Sequence, residues 1–294
     1  MRIALLGLGL IGGSIARALR ERESAGDLGR ARIVAWTPSG GGPSAAVRDG
    51  VIDEAAATAE AALSEADLVV LAGPAPVCLE QLDALAGAWR SAPKPDAVIT
   101  DVASTKAAIV GRAETLGLRF VGGHPMAGRE TSGYASARPD LFEGRPWVVV
   151  PSHDETAVAR VEDLARAVGA YPPRMAAAEH DAAVAAISHL PLVVAAALVE
   201  AVAGGPGEAR DGWSTASELA ATGWRDMTRL ARGDIDMGAG IVTTNAPPIA
   251  ARVRDLVGVL EVWLADLERD GGPDADVVAT RLRAARDRLE SMPR

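Results

Sequence analysis

A buried-strand pattern that runs straight into three spaced glycines constrains this chain more than any other feature. Residues 2–9 read RIALLGLG, and Gly7-Leu8-Gly9-Leu10-Ile11-Gly12 follows the spacing G-x-G-x-x-G. Alone the hexapeptide is a weak signal. Here it closes a strand and opens a helix-like segment, GGSIARALRERE at 12–23. In that setting Gly7 allows a tight turn, Gly9 lets the backbone approach a pyrophosphate, and Gly12 permits close helix–strand packing. The helix N-terminus adds N–H groups aimed at the anion. Gly7, Gly9, Leu10, Ile11 and Gly12 are therefore the candidate cofactor contacts.

The alternation continues. Strand-like runs at 31–37 (ARIVAWT), 66–73 (ADLVVLAG) and 96–104 (DAVITDVAS) are each followed by a helix-like stretch, at 42–50, 76–89 and 105–117. This spacing predicts parallel βαβ units in a doubly wound sheet. After RFVGGHP (119–125), the pair RPWVVVPS (145–152) and ETAVARVEDLARAVGA (155–170) reads as extending the same scheme. Beyond about Met175 strand signals stop. An Ala-rich helical pattern at 176–204, interrupted by Pro191, is followed by others at 217–233, 245–270 and 275–292. The expected class is α/β: a Rossmann-type, doubly wound, mostly parallel sheet domain over 1–175, then an all-helical domain over 176–294. Helices this apolar need cover from their own domain or from a second chain.

Composition narrows the function. The 294 residues are 49% hydrophobic and 23% charged, ample for two packed domains. A net charge of -9 without a basic stripe argues against a nucleic-acid partner. The lone cysteine, Cys78, excludes a disulfide framework and a multi-cysteine metal site, and it reads as a small buried hydrophobe; no metal is expected. The N-terminus lacks the charged stretch of a signal peptide, and no apolar run reaches the roughly 18 residues of a membrane span. The expectation is a soluble, cytoplasmic protein with no membrane partner.

At the end of the second strand, Thr37 and Ser39 stand where an Asp or Glu would hold the ribose 2′-hydroxyl of NAD. Without a carboxylate there, a 2′-phosphate is not repelled, and hydroxyls and loop N–H groups can receive it, although no Arg follows. NAD or NADP is accommodated, and the balance leans to NADP.

Three polar clusters remain: DVASTK (101–106), GGHPMAGRETSG (122–133), and ISHLP (187–191) with GWRDMTR (223–229). His124, one of four histidines, sits between a Gly pair and Pro125, in a loop that presents a side chain rather than burying it. Together with GLGLIGGS, these motifs resemble the prephenate/arogenate dehydrogenase family of tyrosine biosynthesis in order and approximate spacing, from residue 1 to about 235. The resemblance implies oxidative decarboxylation of prephenate to 4-hydroxyphenylpyruvate, or of arogenate to tyrosine, with hydride transfer to NAD(P)+. The partners it implies are a small-molecule substrate and a second copy of the chain, paired through the helical domain.

The resemblance also assigns residues. His124 is the general base, a role that suits imidazole near neutral pH. Ser104 bonds near the same hydroxyl and orients the histidine. Arg229 binds a substrate carboxylate, for which a bidentate guanidinium fits. Arg225, four residues earlier on the expected helix face, is a second cation or the partner of Asp226. His189 contacts substrate, Glu130 is an acidic gate, and Lys106 steadies its turn or reaches the substrate. His180 reads as structural, His153 as solvent-exposed, and Ser132 and Tyr134 as loop packing. Three positions depart from the family pattern. Leu192 replaces the second histidine of SHLPH, which weighs against a keto-acid side chain. Arg129 adds a cation, which favours the more anionic prephenate. Gly238 stands where relatives often carry Trp. The substrate stays open between the two.

Two rivals are set against this reading. One is another Rossmann dehydrogenase, of the β-hydroxyacid dehydrogenase or imine reductase type; such enzymes usually use a helical lysine, and none follows Lys106. The other is a nucleotide-sensing protein without catalysis, against which Ser104, His124 and Arg229 argue.

Overall fold

The computed structural model describes residues 1–26, 29–129, 131–205, 207 and 210–292. The chain opens with β1 (Arg2–Leu6), α1 (Leu10–Ala25), β2 (Arg32–Trp36), α2 (Gly41–Arg48), β3 (Glu54–Ala55), α3 (Ala59–Leu63) and β4 (Leu68–Leu71). It continues with α4 (Ala75–Ala86), β5 (Val98–Asp101), α5 (Ala107–Thr115) and β6 (Phe120–Val121). These six strands form one sheet in the order β3-β2-β1-β4-β5-β6, with every pair parallel. Strand residues alternate between two cores. Ile3 and Leu5 join Ile15, Ile33 and Val158 on one face, while Ala4 and Leu6 join Leu63, Leu82 and Ile109 on the other. Strand order reverses between β1 and β4, and ligands of such sheets bind in the crevice at the carboxyl ends there. Cys78 lies in the second core, where burial pushes its thiol up to about 12.

Residues 145–152 do not extend the parallel scheme as expected. β7 (Gly123–Pro125) and β8 (Trp147–Val149) pair antiparallel in a ribbon of their own, with His124 opposite Val148. The chain returns alongside itself, and the Met126 N–H bonds to the Pro146 carbonyl at 2.8 Å. A parallel partner would have required a crossover connection instead. α6 (Glu155–Ala167) follows, its first turn capped by Asp154, which accepts from Thr156 and Ala157.

α7 (Ala177–Val184) and α8 (Leu190–Ala203) are joined by a π-helical turn, Ala185–His189. The helix therefore passes Pro191 without interruption. A proline clashes with the carbonyl four residues before it, and the wider turn over that stretch accommodates the ring. The resulting 27-residue helix is, by length and composition, apolar enough to cross a membrane, and only 22% of its most apolar stretch is buried. This corrects the expectation that no segment qualifies. His180 and Asp181, 1% and 2% exposed, fix its first turns inside the fold.

α9 (Trp213–Glu218), α10 (Thr222–Met227), α11 (Ile235–Thr244), α12 (Ala246–Leu267) and α13 (Ala275–Glu290) complete the chain. The described residues divide into two compact units, Met1–Ile249 and Ala250–Arg294. In the second unit Arg281 stacks over Trp263 at 4.0 Å and pairs with Asp266 at 2.7 Å. Val257, Leu260, Leu264 and Leu267 form an exposed stripe at helical spacing there.

Candidate active site

The first unit holds a cavity of about 680 Å³ at the carboxyl ends of the strands. Gly9, Leu10 and Ile11 line it from the β1–α1 turn, Ala72 and Gly73 from the end of β4, and Ser104 from the turn after β5. His124 lies in β7 rather than in the expected loop; β7 and the loop after it contribute His124 through Arg129 and Thr131 through Gly133. Arg145, Ser188, Gly233, Asp234, Met237 and Ile241 complete the wall.

The glycines divide their work as their spacing implies. A Cβ on Gly7, whose φ is +116°, would lie 2.5 Å from the Ala72 carbonyl oxygen; one on Gly12 would lie 2.4 Å from the Gly7 oxygen. Both positions are packing constraints. A Cβ on Gly9 would meet nothing within 4 Å, so Gly9 borders open space of the kind a pyrophosphate requires. At the end of β2, the Thr37 hydroxyl accepts the Gly40 N–H at 3.1 Å, and Ser39 is exposed.

His124 is held from behind. Its Nδ1 lies 2.8 Å from His180 Nε2, and His180 Nδ1 lies 2.8 Å from Asp181 Oδ1. The Asp181 carboxylate also accepts the Lys106 and Ala107 N–H groups at 2.7 and 2.8 Å, at the start of α5. Burial pushes the Asp181 carboxyl up, but His180 and these two N–H groups outweigh it and hold it low. Loss of hydration lowers the His124 imidazole well below the usual histidine range, with His180, Lys106 and His189 adding to the effect. His124 is thereby kept unprotonated at neutral pH, the form a base requires.

Beneath the histidine, Lys106 is fully buried, ion-paired with Asp101 and bonded to the Gly123 carbonyl at 2.7 Å. Asp101 accepts in turn from the Ala103 and Gly123 N–H groups. Lys106 therefore ties the DVASTK turn to the histidine loop and does not line the cavity. Thr105 and Thr244, 2.8 Å apart through their hydroxyls, tie the same turn to α11.

A family model described as "Prephenate dehydrogenase, nucleotide-binding domain" matches residues 15–172, and one described as "Prephenate dehydrogenase, dimerization domain" matches 176–263. The chain belongs to the prephenate dehydrogenase family. Prephenate dehydrogenase of Bacillus subtilis is 32% identical over 99% of this chain and 76% of its own length. The crystal structure of prephenate dehydrogenase from A. aeolicus with hydroxyphenyl propionate and NAD+ superposes with a TM-score of 0.84 at 26% identity, covering 99% of this chain and 98% of that one. Synechocystis arogenate dehydrogenase gives 0.75 at 31% identity, covering 98% and 100%.

Relative to this prephenate dehydrogenase fold, the expected site residues separate into two groups. His124, Ser104, Arg129 and the Gly9–Ile11 backbone share the cavity. His189 is 1% exposed and is not on the cavity wall; the Asn245 side chain donates to its Nδ1 at 3.0 Å, and the π turn brings the neighbouring Ser188 to the wall instead. Arg225 and Arg229 do not share a helix face. α10 ends at Met227 with Thr228 as its cap, whose hydroxyl donates back to the Trp224 carbonyl at 2.7 Å, and Arg229 begins a separate 3-10 turn. That turn leads into Gly233 and Asp234 of the wall. Glu130 lies outside the described residues. Leu192 and Gly238 are neighbours: a Cβ on Gly238 would lie 3.7 Å from a Leu192 methyl.

Sequence reasoning missed His180 and Asp181 as partners of His124, and Arg145 and Asp234 as wall residues. An acidic residue next to a histidine in EHD was the available signal for the first pair. Arg145 sits inside a strand-like run and carries no signal of its own.

Proposed function

We propose that this chain oxidises a cyclohexadienol, prephenate or arogenate, at its ring hydroxyl, with loss of the ring carboxylate as CO₂ and transfer of hydride to a nicotinamide cofactor. The observation that carries this reading is one cavity wall that joins Gly9, Leu10 and Ile11 to Ser104 and His124. The open space beside Gly9 fits a dinucleotide pyrophosphate, received by the N–H groups at the start of α1. When bound, the nicotinamide supplies the hydride acceptor.

The chain's own residues do the rest. His124 takes the hydroxyl proton, and Ser104 bonds the hydroxyl beside it. Arg129 and Arg145 meet the substrate carboxylates, which a closed site cannot hold without cations. Arg229, on the turn entering Gly233 and Asp234, is the third candidate cation. Asp234 uses its side chain to cap α11 and offers the wall a carboxylate that suits an ammonium. The cavity thus carries groups for either side chain. NADP is the proposed cofactor, since no carboxylate at Thr37 or Ser39 repels a 2′-phosphate. We further propose a soluble, cytoplasmic homodimer, divided functionally near residue 175, with the sparsely buried face of α8 and the stripe along α12 covered by the second copy.

The test is a four-way steady-state assay of prephenate and arogenate, each with NAD and NADP, following nicotinamide reduction. Turnover in at least one combination is expected, with His124→Ala lowering kcat by about 100-fold or more while cofactor affinity stays unchanged. No turnover in any combination would overturn the assignment and favour a nucleotide sensor.

A further inference from the structure

We propose that His180 and Asp181 are positioning residues that fix the tautomer of His124, with its proton on Nδ1 and Nε2 bare toward the cavity. The inference rests on the reading of His124 as the base and extends it to groups outside the cavity wall.

With His180 neutral, the chain of contacts has one consistent order. A carboxylate accepts and does not donate, so the Asp181 oxygen 2.8 Å from His180 Nδ1 requires a proton on that nitrogen. In the neutral ring the proton on Nδ1 leaves Nε2 as an acceptor. That Nε2 lies 2.8 Å from His124 Nδ1, which must then carry the hydrogen. His124 Nε2, with no hydrogen-bond partner among the described residues, is left as the lone pair. Two rings meet edge to face, with centroids 5.0 Å apart and planes at 78°, so the second ring also limits rotation of the first.

Asp181 is itself immobilised. Two backbone N–H groups at the start of α5 point at its oxygens, and the Asn245 side chain donates to its carbonyl at 2.9 Å. The groups facing the two rings are Asp181 from α7, Lys106 with its partner Asp101 from the β5 turn, and His189 with Asn245 from the helical half. Of these, only Asp181 brings a negative charge not already neutralised by an adjacent ammonium. As His124 gains the substrate proton, the developing imidazolium is therefore compensated through His180. A helix distant in sequence thus controls which nitrogen of the β7 histidine is basic.

The decisive experiment is a two-bond 1H–15N correlation spectrum of protein labelled with 15N-histidine. The four histidines make assignment tractable, and His124 is identified by the signal lost in His124→Ala. The wild-type protein should show the Nδ1–H pattern for His124, not the Nε2–H form that predominates in free imidazole side chains. His180→Gln retains an acceptor and should keep that pattern, with kcat within about tenfold of wild type. His180→Leu should lose the pattern and about 100-fold in kcat, with KM for substrate and cofactor within about twofold. An Nε2–H signal for His124 in the wild-type protein, or Leu and Gln variants alike in tautomer and kcat, would overturn the proposal. The wild-type spectrum decides even if the Leu variant fails to fold. It also needs no substrate: Nδ1–H without turnover would sink the activity assigned above and leave the tautomer intact, and turnover with Nε2–H would do the reverse.

Discussion

The ammonium of Lys106 donates to the carbonyl of Gly123 at 2.7 Å, joining the turn before α5 to the start of β7, 17 residues apart in the chain. Its other partner, Asp101, is fully buried with it. Removing the cation strands that carboxylate in the core, so Lys106→Met should cost about 3–5 kcal/mol of stability. Denaturant unfolding would detect this as a lower midpoint at unchanged slope. An unaltered midpoint would mean that the pair is dispensable.

Gly12 is closed to any side chain. The Cβ position lies 2.4 Å from the Gly7 carbonyl oxygen, and backbone cannot swing aside as a flexible side chain would. Gly12→Val should displace the β1–α1 turn and weaken nicotinamide cofactor binding at least tenfold, measured by titration calorimetry, while far-ultraviolet circular dichroism stays near wild type. Gly9→Ala, at the position that faces open space, should weaken cofactor binding without disturbing the turn.

The buried histidines impose a pH dependence on stability. Burial lowers His189 to about 4, with His180 adding to the effect and Asp181 opposing it. An unfolded chain takes up that proton below about 6.5, where the folded ring still refuses it. Stability is therefore present in full above about pH 6.5 and is lost as pH falls toward 4, and His124, shifted in the same direction, steepens the loss. Unfolding midpoints measured across this window should fall with pH, and His189→Gln should flatten the slope. A profile level down to about pH 4 contradicts the shift.

Arg129 and Arg145 line the cavity; the Arg129 charge acts on Asp140 from a distance, and neither arginine makes a close salt bridge among the described residues. Replacing both with Ala should raise KM for the cyclohexadienol at least tenfold with a smaller change in kcat, because the lost binding is common to ground and transition states. Weaker cofactor binding with an unchanged substrate KM would reassign them to the pyrophosphate.

Dimerisation through the helical half has a simple readout. Leu260 and Leu264 are 54% and 52% exposed on one helical stripe. Leu260→Glu with Leu264→Glu should shift the mass from light scattering from dimer to monomer at micromolar concentration. A wild-type monomer under the same conditions would refute the assembly.

The parallel sheet was legible because strand and helix periods alternate cleanly and the glycine triplet marks where the first pair joins. β3 was not, since two edge residues, Glu54 and Ala55, carry no pattern. The β7–β8 ribbon was misread because an apolar run such as Trp147–Val149 looks the same in either pairing direction. The cavity residues His124 and Ser104 stood out through their loop contexts. His180 and Asp181 did not: their partner lies 56 residues from His180, and their own segment reads as an ordinary Ala-rich helix. Arg225 was grouped with Arg229 by helical spacing, which held only until Thr228 ended the helix.

The π turn at Ala185–His189 has a consequence for how this chain tolerates a change of length. A regular α-helix advances about 100° per residue, so the nine steps from His180 to His189 would point the two rings to opposite sides. The wider turn retards that rotation and works as a phase adjuster between the part of the helix that serves the base and the part that lies beyond it. Deleting a single residue from 185–189 would let the ladder close as plain α-helix and leave the direction of Leu190 to Ala203 almost unchanged, because five steps of the wider turn rotate the chain about as far as four α-helical ones. The apolar face of α8 would keep its direction, while Ser188 and His189, which the wider turn itself carries, would be re-aimed. The turn thus holds one extra residue without disturbing the helix beyond it, and what it fixes is the aim of Ser188 and His189 rather than the course of α8.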